Sequence, residues 1–188
     1  MIKTLAEWLD RRSPGWLVLL TLALFAGFIG LILPQQSALA QTYTRGAGSP
    51  DSSFWYSSAD LYGFAEAYGA AGRRAYVRAR LTFDVAWPLV YTAFLTTAIS
   101  WVYQRAFVAG SPWRYANLAP LLGLGFDFLE NGAATLVMLR YPRPTPVVAQ
   151  LAPVFTAIKW IFVNGSFGLL LIGILAGGWR WVQSRRHT

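Results

Sequence analysis

Asp127, Glu130 and Asn131 are the residues whose types and spacing are best suited to chemistry. They lie inside the apolar stretch 118–139, where a carboxylate at the bilayer centre costs about 2.5–3.5 kcal/mol. Residues three and four apart share one face of a helix, so this face is expected to point into a helical bundle rather than towards lipid. We predict Asp127 and Glu130 as candidate catalytic residues that act as general acid or base.

Other polar side chains are expected to join this pair in a ligand-binding cluster. Lys159 lies at a depth from which its side chain could reach either Glu130 or Asp84. Pro88 leaves the Asp84 carbonyl without its usual helical donor. Three carboxylates against one lysine predict a protonated acid or a bound cation, unless an arginine reaches the cluster. The candidate ligand-binding residues are Asp84, Asn131, Lys159, Tyr91, Asn164, Arg78 and Arg80. The alternative is a purely structural network of interhelical hydrogen bonds.

The composition excludes several other classes of protein and site. Of the 188 residues, 55% are hydrophobic and 13% are charged, which is too apolar for a disordered chain and too uncharged for an ordinary water-soluble domain. The chain has no cysteine and a single histidine, His187. Cysteine-based zinc sites, iron–sulfur clusters and His-ligated haem are therefore excluded, and we expect neither a metal nor a cofactor.

Four apolar stretches organise the chain, at about 16–34, 81–103, 118–139 and 153–178. Each is close to the ~20 residues that cross a bilayer as a helix. Tryptophan and tyrosine residues mark their ends, as in the aromatic belts of membrane proteins. We predict an all-α membrane protein, a four-transmembrane-helix bundle formed by one integral membrane domain over residues 1–188.

The segment 35–80, between the first two stretches, is expected to lie outside the cytoplasm. Residues 34–53 are rich in Gln, Ser, Thr, Gly and Pro and are predicted as a loop. Ser57 or Ser58 can then cap a helix that has Asp60 in its first turn. One apolar face follows before a glycine-rich break: Leu61, Phe64, Ala65 and Tyr68. This pattern predicts an amphipathic helix in the membrane interface, followed by an arginine-rich helical approach to the second crossing.

The formal charge of +8 points to membrane lipids rather than nucleic acid, because the arginines flank apolar stretches. Positive residues are nearly balanced between the two sides of the predicted topology. Arg11 and Arg12 directly precede the first stretch and the long excursion follows it, so we place both termini in the cytoplasm. The predicted location is the bacterial cytoplasmic (inner) membrane, where the chain could form a homo-oligomer or join a larger complex.

The N-terminus also has features of a signal peptide, with Ala38 and Ala40 in an A-x-A pattern. An uncleaved first helix is favoured because its apolar run is longer than a usual signal core. The small residues Ala23, Gly27 and Gly30 also form a packing stripe along it.

Three segments resemble a known family: FDVAWPLVY at 83–91, FDFLEN at 126–131, and Lys159-Trp160. They are similar to a family of uncharacterised bacterial four-helix integral membrane proteins, over most of the chain from about Ser57. The resemblance implies a four-helix fold with a polar site but no particular reaction. More loosely, four helices with acidic residues near a lipid-accessible pocket are similar to the sterol-isomerase-like EXPERA group. The chain departs from the isomerases of that group because it has no histidine in its helices.

Three functions follow as hypotheses. The first is an acidic pocket that binds a lipid or another amphiphile, or an accessory membrane subunit built around such a pocket. The second is a lipid-modifying enzyme of the isomerase or transferase type that uses Asp127 or Glu130 as acid or base. The third is a small proton- or cation-coupled carrier with the carboxylates as its coupling site.

Overall fold

The computed structural model describes residues 2–50 and 53–185, and these residues are helical with no β-strand. The elements are α1 (Ile2–Arg11), α2 (Gly15–Gly27), a π-helical segment (Phe28–Ile32), α3 (Leu33–Thr44), α4 (Ser58–Leu81), α5 (Phe83–Ala106), a 3-10 helix (Pro112–Leu118), α6 (Ala119–Arg140) and α7 (Pro146–Arg185). Four helical segments are long and apolar enough to cross a membrane: Gly15–Thr44, Ser58–Ala106, Pro112–Arg140 and Pro146–Arg185. The all-helical class and the four candidate crossings are therefore confirmed. His187 lies outside the described residues.

The first candidate crossing is longer than the sequence predicted. The helix continues from α2 through the π-helical segment into α3 and ends at Thr44, so the prediction that 34–44 is a loop is wrong. Pro34 lies in the first turn of α3 directly after the π-helical segment, so the helix changes its hydrogen-bonding pattern where the proline N–H is missing. The Ala, Leu and Gln residues that follow are good helix formers, although the polar ones resemble a loop in composition.

The start of α4 agrees with the sequence. Ser57 is the N-cap, and its side chain accepts a hydrogen bond from the Asp60 backbone N at 3.1 Å. The Asp60 carboxylate accepts one from the Ser57 backbone N at 2.8 Å, which completes a capping box. The predicted break is present at Gly69, whose φ of +63° is a conformation that glycine adopts without steric cost.

The apolar face of α4 is buried against protein. The sequence assigned this face to the membrane interface, whereas Leu61, Ala65 and Tyr68 are fully buried in a hydrophobic core. The pattern located the face correctly, but helical periodicity does not distinguish lipid from protein as its partner.

α7 begins earlier and ends later than the predicted 153–178. Pro146 takes the first helical position, which proline favours, and Pro153 lies inside the helix. α1 was not predicted, because residues 2–11 precede the first apolar stretch and end in a basic segment.

The described chain forms two compact units. Unit 1 contains residues 2–25, 90–123 and 161–185. In it, α5 packs against α2 through stacked Phe25 and Phe94, with ring centroids 4.9 Å apart. α5 packs against α7 where the Tyr103 hydroxyl donates to the Leu169 carbonyl at 2.8 Å. Gly173 of α7 leaves the space that the Tyr103 ring fills.

Unit 2 contains residues 26–50, 53–89 and 124–160. Its core combines the buried face of α4 with small and medium side chains from α6 and α7: Ala133, Ala134, Val137, Met138, Ala149 and Ala152. Small residues at these positions allow helices to approach closely, as is usual for helices in membranes. This core places the polar residues of α6 beside the end of α4 and the first half of α7.

Candidate functional site

The most deeply buried charges of unit 2 form an ion pair between α6 and α7. Lys159 Nζ donates to Glu130 Oε2 at 2.5 Å, and both side chains are almost completely excluded from solvent. Of the two lysine pairings that the sequence left open, the structure contains the one with Glu130. A buried pair of this kind is costly to break, because either partner left alone would be an uncompensated charge.

A second group joins the end of α4 to the start of α5 and to α6. Arg80 Nε lies 3.2 Å from Asp84 Oδ2, and Arg80 Nη1 donates to Asn131 Oδ1 at 3.2 Å. The Arg80 guanidinium also lies over the Tyr76 ring, 4.6 Å from its centroid. Arg80 is therefore held in place by a carboxylate, an amide and an aromatic face, and it brings one positive charge into the cluster.

Asn131 connects this arginine to Asp127. Its Nδ2 atom donates to Asp127 Oδ1 at 2.8 Å and to the Asp84 backbone carbonyl at 3.3 Å. The Asp84 carbonyl needs this donor, because Pro88 has no N–H to complete the helical turn. An amide is the group required here, since it accepts from a guanidinium and donates to two oxygens at the same time.

The charges of the cluster do not cancel. Three carboxylates (Asp84, Asp127, Glu130) face two basic groups (Arg80, Lys159). Arg80 lies against Asp84 and Lys159 lies against Glu130, so the cluster as a whole has one more acidic group than basic groups. Asp127 is 7% exposed, whereas Glu130 is completely buried. Of the two predicted catalytic residues, Asp127 is the more accessible to a ligand.

The remaining predicted site residues are placed differently. Arg78 is an exposed residue of α4, two positions before the buried Arg80. Tyr91 is buried in α5 and belongs to unit 1. Asn164 is an exposed residue of α7, also in unit 1. Among the residues described, no three His, Asp or Glu side chains are arranged to hold a metal ion.

Comparison with known protein families, with curated proteins and with solved structures finds no match to this chain.

Unit 1 contains a polar cluster that the sequence did not predict. Asn117 Nδ2 lies within hydrogen-bonding distance of the Ala6 carbonyl (3.0 Å), Ser100 Oγ (3.0 Å) and Asp10 Oδ1 (3.2 Å). Arg114 Nε lies 2.9 Å from Asp10 Oδ2. Burial raises the pKa of the Asp10 carboxyl, although the Arg114 guanidinium acts in the opposite direction.

This cluster fixes α1 to α5 and to the 3-10 helix. Asp10, Arg114 and Asn117 lie outside the predicted apolar stretches, where polar side chains are expected to be solvated. Asp10 lies directly before Arg11-Arg12, so the sequence presented it as part of a charged segment. An amphipathic pattern in residues 2–11 was the signal that could have indicated a packed helix.

Proposed function

We propose that the chain is an integral membrane protein whose buried acidic cluster binds a lipid or other amphiphile with a positively charged headgroup. In this proposal the four candidate crossings form a transmembrane bundle in the bacterial inner membrane. Both termini are cytoplasmic, and the cluster lies in the outer half of the bilayer. The apolar faces of the four long helices support the membrane assignment, because lipid replaces water as their solvent.

The excess carboxylate of the cluster carries the functional proposal. A buried ionised carboxylate is retained only when it is paired, hydrogen-bonded or neutralised by a cation. The Asn131 amide donates to Asp127 and is uncharged, so it leaves the cluster with three carboxylates and two basic groups. An ammonium or guanidinium headgroup would supply both hydrogen-bond donors and the missing positive charge.

The surroundings of Asp127 suit the apolar part of such a ligand. Phe128 follows it directly on α6 and is an exposed large hydrophobic side chain. Hydrocarbon chains of a lipid can cover this surface while the headgroup reaches the carboxylate. The neighbouring Glu130 has a supporting role, because it is completely buried, whereas Asp127 is 7% exposed and can receive the ligand.

Mass spectrometry of molecules that co-purify with the detergent-extracted protein tests this proposal. The test variant is Asp127→Asn, which keeps an oxygen that accepts from Asn131 but removes the charge. The control is Glu66→Gln, which neutralises an exposed carboxylate of the same unit. We expect a cationic or zwitterionic amphiphile bound to the wild type and to Glu66→Gln, and at least a tenfold loss of it in Asp127→Asn.

The control variant and the melting temperature separate loss of ligand from loss of fold. Equal lipid content in all three proteins, each with a normal melting temperature, would overturn amphiphile binding. In that case an infrared carboxyl band that is absent from Asp127→Asn would indicate that a proton neutralises Asp127. That outcome would favour the carrier hypothesis.

A further inference from the structure

The outer face of α1 is apolar and is not covered by unit 1. Ile2, Leu5 and Trp8 are exposed large hydrophobic residues of a ten-residue helix. They lie on one side, because residues at i, i+3 and i+6 stay within one broad arc at about 100° per residue. Lys3, Glu7 and Arg11 occupy the opposite side. α1 is therefore strongly amphipathic.

The buried side of α1 fixes the direction of this apolar face. The Asn117 side chain donates to the Ala6 carbonyl, and Gln104 Nε2 donates to the Asp10 carbonyl at 2.9 Å. The Arg114–Asp10 ion pair adds a third connection. With its inner side held at three points, α1 cannot rotate to bury Leu5 and Trp8 against its own unit.

The charges of unit 1, to which α1 belongs, are complementary to an anionic surface. In the described part of unit 1, seven Lys and Arg residues face two carboxylates: Lys3, Arg11, Arg12, Arg105, Arg114, Arg180 and Arg185 against Glu7 and Asp10. Both carboxylates already have basic neighbours, since Asp10 pairs with Arg114 and Glu7 lies 4.0 Å from Lys3. The net charge of the described part of unit 1 is therefore positive.

Three arginine–tryptophan pairs occur in the described part of unit 1. Arg12 lies 5.7 Å from the Trp8 ring centroid, Arg105 lies 3.8 Å from that of Trp101, and Arg185 lies 4.0 Å from that of Trp181. Such pairs suit the boundary of a bilayer, where the indole contacts both acyl chains and headgroups and the guanidinium contacts phosphate.

The connection to the first candidate crossing places α1 at that boundary. α1 ends at Arg11 and α2 begins at Gly15, so only three residues separate them. Ser13 Oγ donates to the Leu9 carbonyl at 2.7 Å and Pro14 follows, which ends α1 before the crossing begins. A short amphipathic helix next to a transmembrane helix is well placed to lie in the headgroup layer.

We infer that α1 is an in-plane membrane anchor that inserts Ile2, Leu5 and Trp8 into an anionic leaflet while Lys3, Arg11 and Arg12 bind lipid phosphates. This inference rests on the membrane assignment made above but not on the amphiphile site at Asp127. Anionic lipid is the partner because apolar insertion and a positive surplus occur together on α1.

Site-directed spin labelling tests the anchor, and the cysteine-free chain allows labels at single introduced cysteines. Leu5→Cys is the test position and Glu7→Cys is its control. The Leu5 residue is 44% exposed and the Glu7 side chain 46%, but they lie on nearly opposite sides of the helix. The full chain is reconstituted in nanodiscs of phosphatidylcholine with 30% phosphatidylglycerol as an anionic lipid. Collision rates with oxygen and with a water-soluble nickel chelate are then measured.

We expect the Leu5 label to have an oxygen-to-nickel collision ratio at least fivefold higher than the Glu7 label. Replacing phosphatidylglycerol with phosphatidylcholine should lower this ratio. This effect of phosphatidylglycerol on the collision ratio should disappear in a variant with Lys3, Arg11 and Arg12 changed to Gln. Equal ratios at Leu5 and Glu7 would overturn the inference. Protection of Leu5 from both reagents would also overturn it, because it would indicate a protein partner or a second copy of the chain.

A third label separates failure of the anchor from failure of the membrane assignment. Leu20 is an exposed residue of α2, and a label at Leu20→Cys should be accessible to oxygen and protected from nickel in any chain that spans the bilayer. If Leu20 behaves in this way and Leu5 does not, α1 is not an anchor. If both labels are accessible to nickel, the membrane assignment itself is wrong. Misfolding of Leu5→Cys would also contradict the inference, because it would show that protein covers this face.

Discussion

The buried Glu130–Lys159 pair predicts that Lys159→Met is strongly destabilising. Methionine has a volume similar to that of lysine but no charge, so the variant leaves Glu130 fully buried without its partner. The expected result is a large fall in the free energy of unfolding with little steric disturbance. The double variant Glu130→Met/Lys159→Met removes both charges and is expected to recover most of the loss.

The magnitude follows from the distance and burial of the pair. Two unit charges about 3 Å apart attract by about 5–6 kcal/mol at an effective dielectric constant of about 20, and desolvation of both ions offsets much of this gain. Removing one partner of a buried pair costs about 3–5 kcal/mol. For a chain of 188 residues, 1 kcal/mol corresponds to about 2–4 °C, so we expect the melting temperature to fall by about 6–20 °C.

The assay is the thermal loss of the monodisperse peak on size-exclusion chromatography in a mild detergent. Lys3→Met is the matched control, because Lys3 also lies near a glutamate, Glu7 at 4.0 Å, but both side chains are exposed. Loss of such a surface pair costs less than about 1 kcal/mol. A melting temperature for Lys159→Met equal to that of Lys3→Met would refute the reasoning. A double variant as unstable as Lys159→Met would show that the loss does not come from the stranded charge.

Three further predictions concern packing, capping and pH. Gly173→Ala should destabilise the protein by about 1–3 kcal/mol because its Cβ would clash with the Tyr103 ring. Gly168→Ala, which has open space in the same helix, should melt like the wild type, and equal melting of the two variants would contradict this packing. Ser57→Ala removes the capping box of α4 and should cost about 1 kcal/mol; an unchanged thermal midpoint would argue against the cap. The Asp10 pKa is raised by burial from its ordinary value of 3.8, so the folded protein keeps this proton to higher pH than the unfolded chain. The stabilisation linked to this proton is complete below the ordinary pKa and is lost as pH rises through the folded pKa. The melting temperature of the wild type minus that of Asp10→Asn should therefore fall with rising pH, and a difference that grows instead would be inconsistent with the burial of this carboxyl.

The four candidate crossings could be predicted from the sequence because transfer into lipid depends on the composition of each segment by itself. The ends of the helices could not be predicted in the same way. α3 extends to Thr44 through residues whose polarity is typical of a loop, and α7 begins at Pro146 rather than Pro153. Helix ends depend on neighbouring backbone and side chains, which composition does not describe.

The candidate site also combines features that could be predicted from the sequence with features that could not. Helical spacing was enough to place Asp127 and Asn131 on one face of α6, because residues four apart on a helix are neighbours. Spacing alone could not predict which arginine of α4, Arg78 or Arg80, enters the cluster. Arg80 is buried in the cluster and Arg78 is exposed, although only two positions separate them in α4. Such residues point to nearly opposite sides of a helix, so the rotation of α4 against α6 decides which one enters.

The sequence by itself therefore determined the helical class, the four candidate crossings and the polar face of α6, because all three depend on residues close together in the chain. Only the tertiary structure decided that Lys159 pairs with Glu130 rather than Asp84, and that Asn117 joins α1 to the rest of unit 1. These contacts connect residues 29 and 111 positions apart. Their formation depends on how whole helices pack, which is a property of the assembled core and not of any single segment.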